Sequence, residues 1–200
     1  MTICFLLLYG CTGVSMGLSE NDFGYEITVQ FPGTAGDMPA LLDSLEALSM
    51  QTVDDFLASL QFLQKGDPTW RLSLVFSHEP SPRGLVCILA TEYAYWGGAH
   101  GLESFSALVY QPEGSVFIEP QSLLEDFPAF ARAVRDTLLK DPLADREWIA
   151  LGTEPVPGNY RALLPFPDST GAFWGFQVVL PAYQVAPYSA GVHRVMIPIQ

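Results

Sequence analysis

Tyr25, Ile27, Val29 and Phe31 alternate with Glu26, Thr28 and Gln30. A period of two puts each set on its own face, so Gly24–Phe31 is expected as a half-buried strand, stopped by Pro32-Gly33. The period then changes. Asp37 offers a capping side chain, Pro39 suits a first helical turn, and Leu41, Leu45 and Leu48 recur at helical spacing. Thr52-Val53-Asp54-Asp55 reads as a second capping signal, which predicts a break or bend near Met50 before Phe56, Leu60 and Leu63 carry the stripe to Gly66. Arg71–Ser77 is the next strand, Pro80–Gly84 a turn, Gly84–Trp96 a long strand, Gly97–Gly101 a tight turn and Leu102–Gln111 the return strand. Another turn follows at Pro112-Glu113-Gly114. Two or three short helices come next. Ser122 and Asp126 are candidate caps, Phe127, Phe130, Val134 and Leu138 form a stripe, and Asp141-Pro142 opens a further helix. Gly152–Asn159 holds Pro155, Pro157 and Gly158 and reads as a loop, after which Phe173–Leu180 and Val192–Ile199 return to strand. Helices segregate from hairpins, so the class is α+β: an antiparallel β meander with helices packed on one side, two small lobes in one compact unit. The lobes are expected at 23–118 and 119–200.

Composition narrows the function classes. Hydrophobic residues make up 49% of the 200 and charged residues 16%, which excludes a disordered or solvating chain. Lys and Arg total 9 against 22 Asp and Glu, for a formal net charge of −13. Nucleic acid is thereby excluded as a partner, since phosphate binding needs clustered cations. An anionic membrane surface would repel the folded part, whereas a basic protein would be attracted.

Residues 1–10 are apolar, uncharged and too short to span a bilayer. Leu8-Tyr9-Gly10-Cys11 resembles a bacterial lipobox, which implies a signal peptide over 1–10, lipidation of Cys11 and a small, polar tether over 11–22. The protein is then expected outside the cytoplasm in a bacterial cell envelope, periplasmic or surface, held to the membrane through the lipid anchor only. The competing reading is a buried N-terminal strand with an ordinary core cysteine. Cleavage would remove Cys4 and acylation would block Cys11, leaving Cys87 free as a small buried hydrophobe in Leu85–Leu89.

Two further segments carry a resemblance. Tyr95-Trp96-Gly97-Gly98-Ala99-His100-Gly101 resembles the Y-x-G-G-A-H turn of a domain of unknown function. That domain forms the extracellular part of the anti-sigma factor RsiV and the non-catalytic N-terminal part of the peptidoglycan deacetylase PdaC. Tyr183–Gly191, followed by Val195-Met196-Ile197-Pro198, resembles its C-terminal signature. The likeness spans about Gly24 to Ile199. It implies a non-catalytic module that binds lysozyme, a basic protein, or peptidoglycan, which the lipobox would hold at the membrane by its lipid anchor. Tyr95, Trp96, Gly97, Gly98, His100, Tyr183 and Tyr188 are the candidate ligand-binding residues. Read without the resemblance, the same residues are structural: the glycines permit positive φ, Pro187 fixes φ, and Tyr183 and Tyr188 bury their rings and direct hydroxyls to loop backbone.

Little else suggests chemistry. His78, His100 and His193 stand too far apart in sequence for a metal pair, so no metal and no cofactor is expected. Ser189 lacks the first glycine of a nucleophile elbow. Asp54-Asp55 and Glu125-Asp126 read as solvated faces or caps, and no catalytic residue is assigned. The alternative function is a cell-wall hydrolase using the His100 loop and a carboxylate.

Overall fold

The computed structural model of the chain describes residues 8–10, 13–20, 25–60 and 69–199. Seven strands form one sheet in chain order: β1 (Leu8–Gly10), β2 (Gly13–Glu20), β3 (Tyr25–Gln30), β4 (Trp70–Glu79), β5 (Val86–Tyr95), β6 (Leu102–Gln111) and β7 (Val116–Ile118). A second sheet has the order β10 (His193–Pro198), β9 (Phe173–Leu180), β8 (Leu163–Pro167). The helices are α1 (Pro39–Ser59), α2 (Phe127–Leu138) and α3 (Arg146–Gly152). The class is α+β, an antiparallel meander with helices. No described helix is long and apolar enough to cross a membrane.

Residues group into two compact units, Met1–His78 with Ala90–Ser104 and Glu79–Leu89 with Phe105–Gln200. This grouping differs from a boundary at 118/119. β5 and β6 each run for ten residues, about 33 Å of strand at ~3.3 Å per residue, and each contributes to both units.

In the first unit β3 pairs with β4 in parallel, from Tyr25↔Trp70 to Gln30↔Val75. The sequence reading expects only antiparallel pairs. Parallel neighbours need a crossover of a dozen or more residues, and α1 lies in that connection. Ile27, Val29 and Phe31 are buried, as are Leu72, Leu74 and Phe76, and the Phe31 and Phe76 rings stack at 5.4 Å. Leu41, Leu45 and Phe56 supply the buried side of α1. Each such side chain contributes roughly 1.5–3 kcal/mol of burial.

α1 runs unbroken past Met50, against expectation. Thr52 is not a cap: its hydroxyl donates to the Leu48 carbonyl at 3.0 Å, as Ser49 does to Leu45 at 2.7 Å. Such back-bonding satisfies the hydroxyl inside a continuing helix. Nor does Asp37 cap α1. It ends a short 3-10 turn (Gly33–Asp37), and Met38 occupies the N-cap position without a side-chain bond. Leu63 and Gly66, the expected end of the stripe, lie outside the described residues. Gly13–Glu20, expected as tether, is a strand antiparallel to β3, and Leu8–Gly10 of the expected signal peptide pairs with Gly13–Ser15. Val14, Met16 and Leu18 alternate with small or polar residues, a strand period easily passed over amid glycine and serine. Cys11, the expected lipidation site, lies outside the described residues.

In the second unit Asp126 caps α2, accepting the Ala129 N–H at 2.8 Å. Ser122 does not cap a helix; its hydroxyl donates to the Glu119 carbonyl within a 3-10 turn. Asp141 opens no helix either. Its carboxylate accepts the Leu143 N–H, and α3 starts only after Asp145, which accepts the N–H groups of Glu147 and Trp148 at 3.0 and 2.9 Å. α2 packs Phe130, Ala131 and Val134 in one core with Phe176, Val178 and Leu180 of β9 and Val195 and Ile197 of β10. A second cluster holds Cys87, Leu89, Phe105, Val109, Ala162, Leu164 and Val179. β8 falls where no strand is expected, because Pro165 and Pro167 punctuate it; proline is tolerated there since β8 is an edge strand of its sheet.

Candidate functional site

The seven candidate residues fall into two groups, one in each unit. Tyr95, Trp96, Gly97, Gly98 and His100 lie on or beside the β5–β6 turn of the first unit. Gly97 and Gly98 have φ of 88° and 102°, a region L side chains rarely enter. The Tyr95 hydroxyl donates to the Gly98 carbonyl at 3.0 Å, closing the turn from within. His100 Nδ1 lies 3.0 Å from the Gly101 carbonyl. Gly101 serves a different purpose: a Cβ there would overlap the Tyr93 ring. Trp96 is 45% exposed, yet anchored. Its indole N–H donates to the Ser59 hydroxyl at 3.3 Å, and its ring lies 6.3 Å from that of Phe56, both partners near the C-terminal end of α1. Sequence spacing gives no signal for this pairing, which joins residues 37 positions apart.

The charge around this turn is one-sided. The first unit contains 11 of the 22 acidic residues and 2 of the 9 basic ones. One of those two, Arg71, pairs with Glu26 at 3.4 Å. α1 exposes Asp43, Glu46, Asp54 and Asp55 and carries no Lys or Arg. Asp54 and Asp55 stand near the helix C-terminus, where the backbone dipole disfavours anions. Asp55 is offset by accepting the Gln51 side-chain amide one turn back at 2.9 Å, so only Asp54 has no helix-stabilising account.

The second group, Tyr183 and Tyr188, sits at the Pro181–Gly191 corner of the second unit. Their rings lie 5.6 Å apart, and both are exposed rather than buried as expected, because the corner turns outward and only Val185 of it enters the core. Tyr183 has φ of 71°, an unusual value for a residue with a side chain. Backbone bonds hold it there, with its N–H donating to Ala186 and the Gln184 N–H donating to Pro181. Trp148 of α3 donates its indole N–H to the Tyr183 carbonyl at 2.7 Å. The Gln184 amide donates to the Gly152 and Asn159 carbonyls at 2.9 and 2.8 Å, while Val185 enters the core. Gln184 and Trp148 thus fix the corner, and the sequence motif singles out neither.

α3 is itself tied down. Arg135 of α2 donates to the Thr153 hydroxyl at 2.9 Å and to the Ala150 carbonyl at 3.0 Å, satisfying the helix C-terminus. The buried Tyr160 hydroxyl donates to the Thr153 carbonyl at 3.1 Å. Burial pushes its phenol up to about 12, with the Arg135 guanidinium opposing that rise. A groove of about 670 Å³ opens between the α2–α3 connection, the corner and β10, lined by Leu138, Leu143, Trp148, Pro187, His193 and Met196 among others.

Cys87 is fully buried, its thiol pushed up to about 11 mainly by burial. Among the described residues no group of three or more His, Cys, Asp or Glu is placed to hold a metal ion.

Neither a family model nor a curated protein matches the chain. Solved structures do. A DUF3298 family protein from Pseudomonas aeruginosa PAO1 aligns over 99% of this chain and 91% of its own, with a TM-score of 0.53 and 17% identity. A member of the same family from Bacteroides fragilis NCTC 9343 aligns over 98% and 92%, with a TM-score of 0.58 and 12% identity. The chain therefore has the fold of DUF3298 proteins, a type of domain of unknown function.

Proposed function

We propose that the protein is a non-catalytic binding module of the bacterial cell envelope, lipid-anchored through Cys11, and that its ligand is a basic protein such as lysozyme. The observation that carries this reading is the first unit's charge. Four exposed carboxylates on α1, without a cation on that helix, accompany an exposed tryptophan held at the helix end. Such a surface attracts a cationic protein through its field, and an anchored aromatic loses little conformational freedom on being covered. Trp96 and His100 are the proposed contacts. Tyr183 and Tyr188 belong to a corner whose hydrogen bonds serve the fold first. Peptidoglycan is the second candidate ligand, supported by the resemblance to the PdaC domain.

Calorimetry with lysozyme at low and at physiological salt tests the partner. Binding is expected at low salt and should weaken as salt rises, because the exposed charges are screened within about 10 Å at 0.1 M. Trp96→Ala combined with His100→Ala should reduce it further. No binding at either salt overturns the lysozyme assignment, and binding that the double variant leaves unchanged removes the turn as the site. For the anchor, an intact Met1 in the mature protein, or a Cys11→Ala variant that still fractionates with membranes, refutes lipidation.

A further inference from the structure

The two edges of the three-stranded sheet are treated differently. The Val179 N–H donates to the Ala162 carbonyl, which sets the hydrogen-bonded positions of the β8–β9 ladder. Counting along the register, Pro165 falls at a position facing away from β9, where an N–H would otherwise be open, and its carbonyl lies 3.7 Å from the Cys87 sulfur. That edge is closed in the manner expected of a protected strand.

The β10 edge is closed in this way only at its last residue, Pro198, which also falls at an outward position. The Ile199 N–H donates to the Trp174 carbonyl, so His193, Val195 and Ile197 bond to β9 while Arg194 and Met196 turn their N–H and C=O groups outward. Among the described residues β10 has no second neighbour, and neither outward residue has a backbone partner. These groups open on the groove, which four successive residues of β10, His193 to Met196, all line. Side chains alternate faces along a strand; what four consecutive residues share is the backbone edge. The rest of the lining combines apolar Leu138, Leu143, Trp148 and Pro187 with the carboxylates of Asp141 and Asp145. His193 faces the groove with a buried Nε2 that has no hydrogen-bond partner.

We infer that this groove binds an extended polypeptide segment, which adds to the sheet as a fourth strand beside β10. Backbone bonds to Arg194 and Met196 would supply register, and the apolar lining residues would take alternate side chains. The charge at the groove selects the segment. Asp141 and Asp145 are exposed along it, while the Arg194 guanidinium is engaged by Gln177 at 3.2 Å and Glu79 at 3.5 Å. The segment therefore carries Lys or Arg beside its apolar positions. A second copy of the chain, with a net charge of −13, is disfavoured as the added strand. This inference is independent of the lysozyme reading, since it concerns a different unit.

The test uses the full chain and synthetic acetyl-Lys-Thr-Val-Thr-Val-Thr-Lys-amide. A Glu-flanked analogue and an analogue N-methylated at alternate residues serve as controls. The Lys peptide is expected to shift the amide resonances of Arg194 and Met196 and to slow their exchange about tenfold or more, with affinity at least about tenfold above the Glu peptide. N-methylation should abolish binding. Met196→Pro should do the same with an unchanged melting temperature, because its N–H faces away from β9 as the Pro165 position does. Asp141→Lys should reverse the charge preference and does not depend on a proline being tolerated. Absence of binding at millimolar peptide overturns the inference. So does equal binding of the N-methylated analogue, or sedimentation showing that a second copy already occupies the edge.

Discussion

Gly152→Ala sets two effects against each other. Gly152 is the last residue of α3, and alanine favours a helix over glycine by up to about 1 kcal/mol. Helix propensity alone therefore predicts stabilisation. Tertiary packing predicts the reverse. A Cβ at Gly152 would overlap the Gln184 carbonyl oxygen and lie 2.7 Å from its carbon and 2.9 Å from Val185 Cγ1. The first two of these atoms are backbone, held by the Gln184 amide bonds to Gly152 and Asn159, so they cannot swing aside as a flexible side chain would. Overpacking of this kind costs about 1–3 kcal/mol, and loss of the Gln184–Gly152 bond adds about 1 kcal/mol. We expect a net destabilisation of about 1–3 kcal/mol, which for a chain of this size lowers Tm by roughly 2–12 °C. Thermal unfolding followed by near-ultraviolet circular dichroism reads the shift, since Trp148 and Tyr183 report on the same corner. An unchanged or raised Tm would show that propensity outweighs the contact and that α3 and the corner are not as closely apposed as described.

Gly98→Ala and Gly191→Ala should each cost about 1 kcal/mol, because φ is +102° and +73° while the space around both is open; unaltered melts would mean these turns adapt freely. Tyr160→Phe, which leaves the Thr153 carbonyl with only the longer Arg135 contact at 3.5 Å, should cost about 1 kcal/mol, and a neutral result would assign Tyr160 to packing alone. Cys87 and Tyr160 hold their protons in the folded state to about 11 and about 12, against ordinary values of 9.0 and 10.0. Their contribution is therefore complete below pH 9 and is lost as pH rises from about 9 towards 12, so urea midpoints should fall over that window. Cys87→Ala should flatten its lower part, and an unchanged slope would refute the role given to the thiol.

Alternation alone locates β6 at Leu102–Gln111 and β9 at Phe173–Leu180, and the Phe127–Leu138 stripe with Asp126 before it defines α2 and its cap. These features are legible because local period and capping chemistry act over a few residues. Glycine and proline likewise mark the Gly97–Gly98 turn and the Pro187–Gly191 corner, and the candidate tyrosines come with them. Hydroxyl groups are ambiguous at that range: Thr52 can cap a new helix or bond back within an old one, and only the continuation of α1 decides between them. Prolines in β8 resemble a loop until the strand is known to lie at a sheet edge. Pairing is the larger gap. Nothing local specifies that β3 meets β4 in parallel across α1, that Trp96 finds Ser59, or that Gln184 reaches Gly152 and Asn159. Those contacts join residues from 25 to 45 positions apart. Chain topology and shared burial choose such partners, and the open β10 edge with its groove exists only after that choice is made.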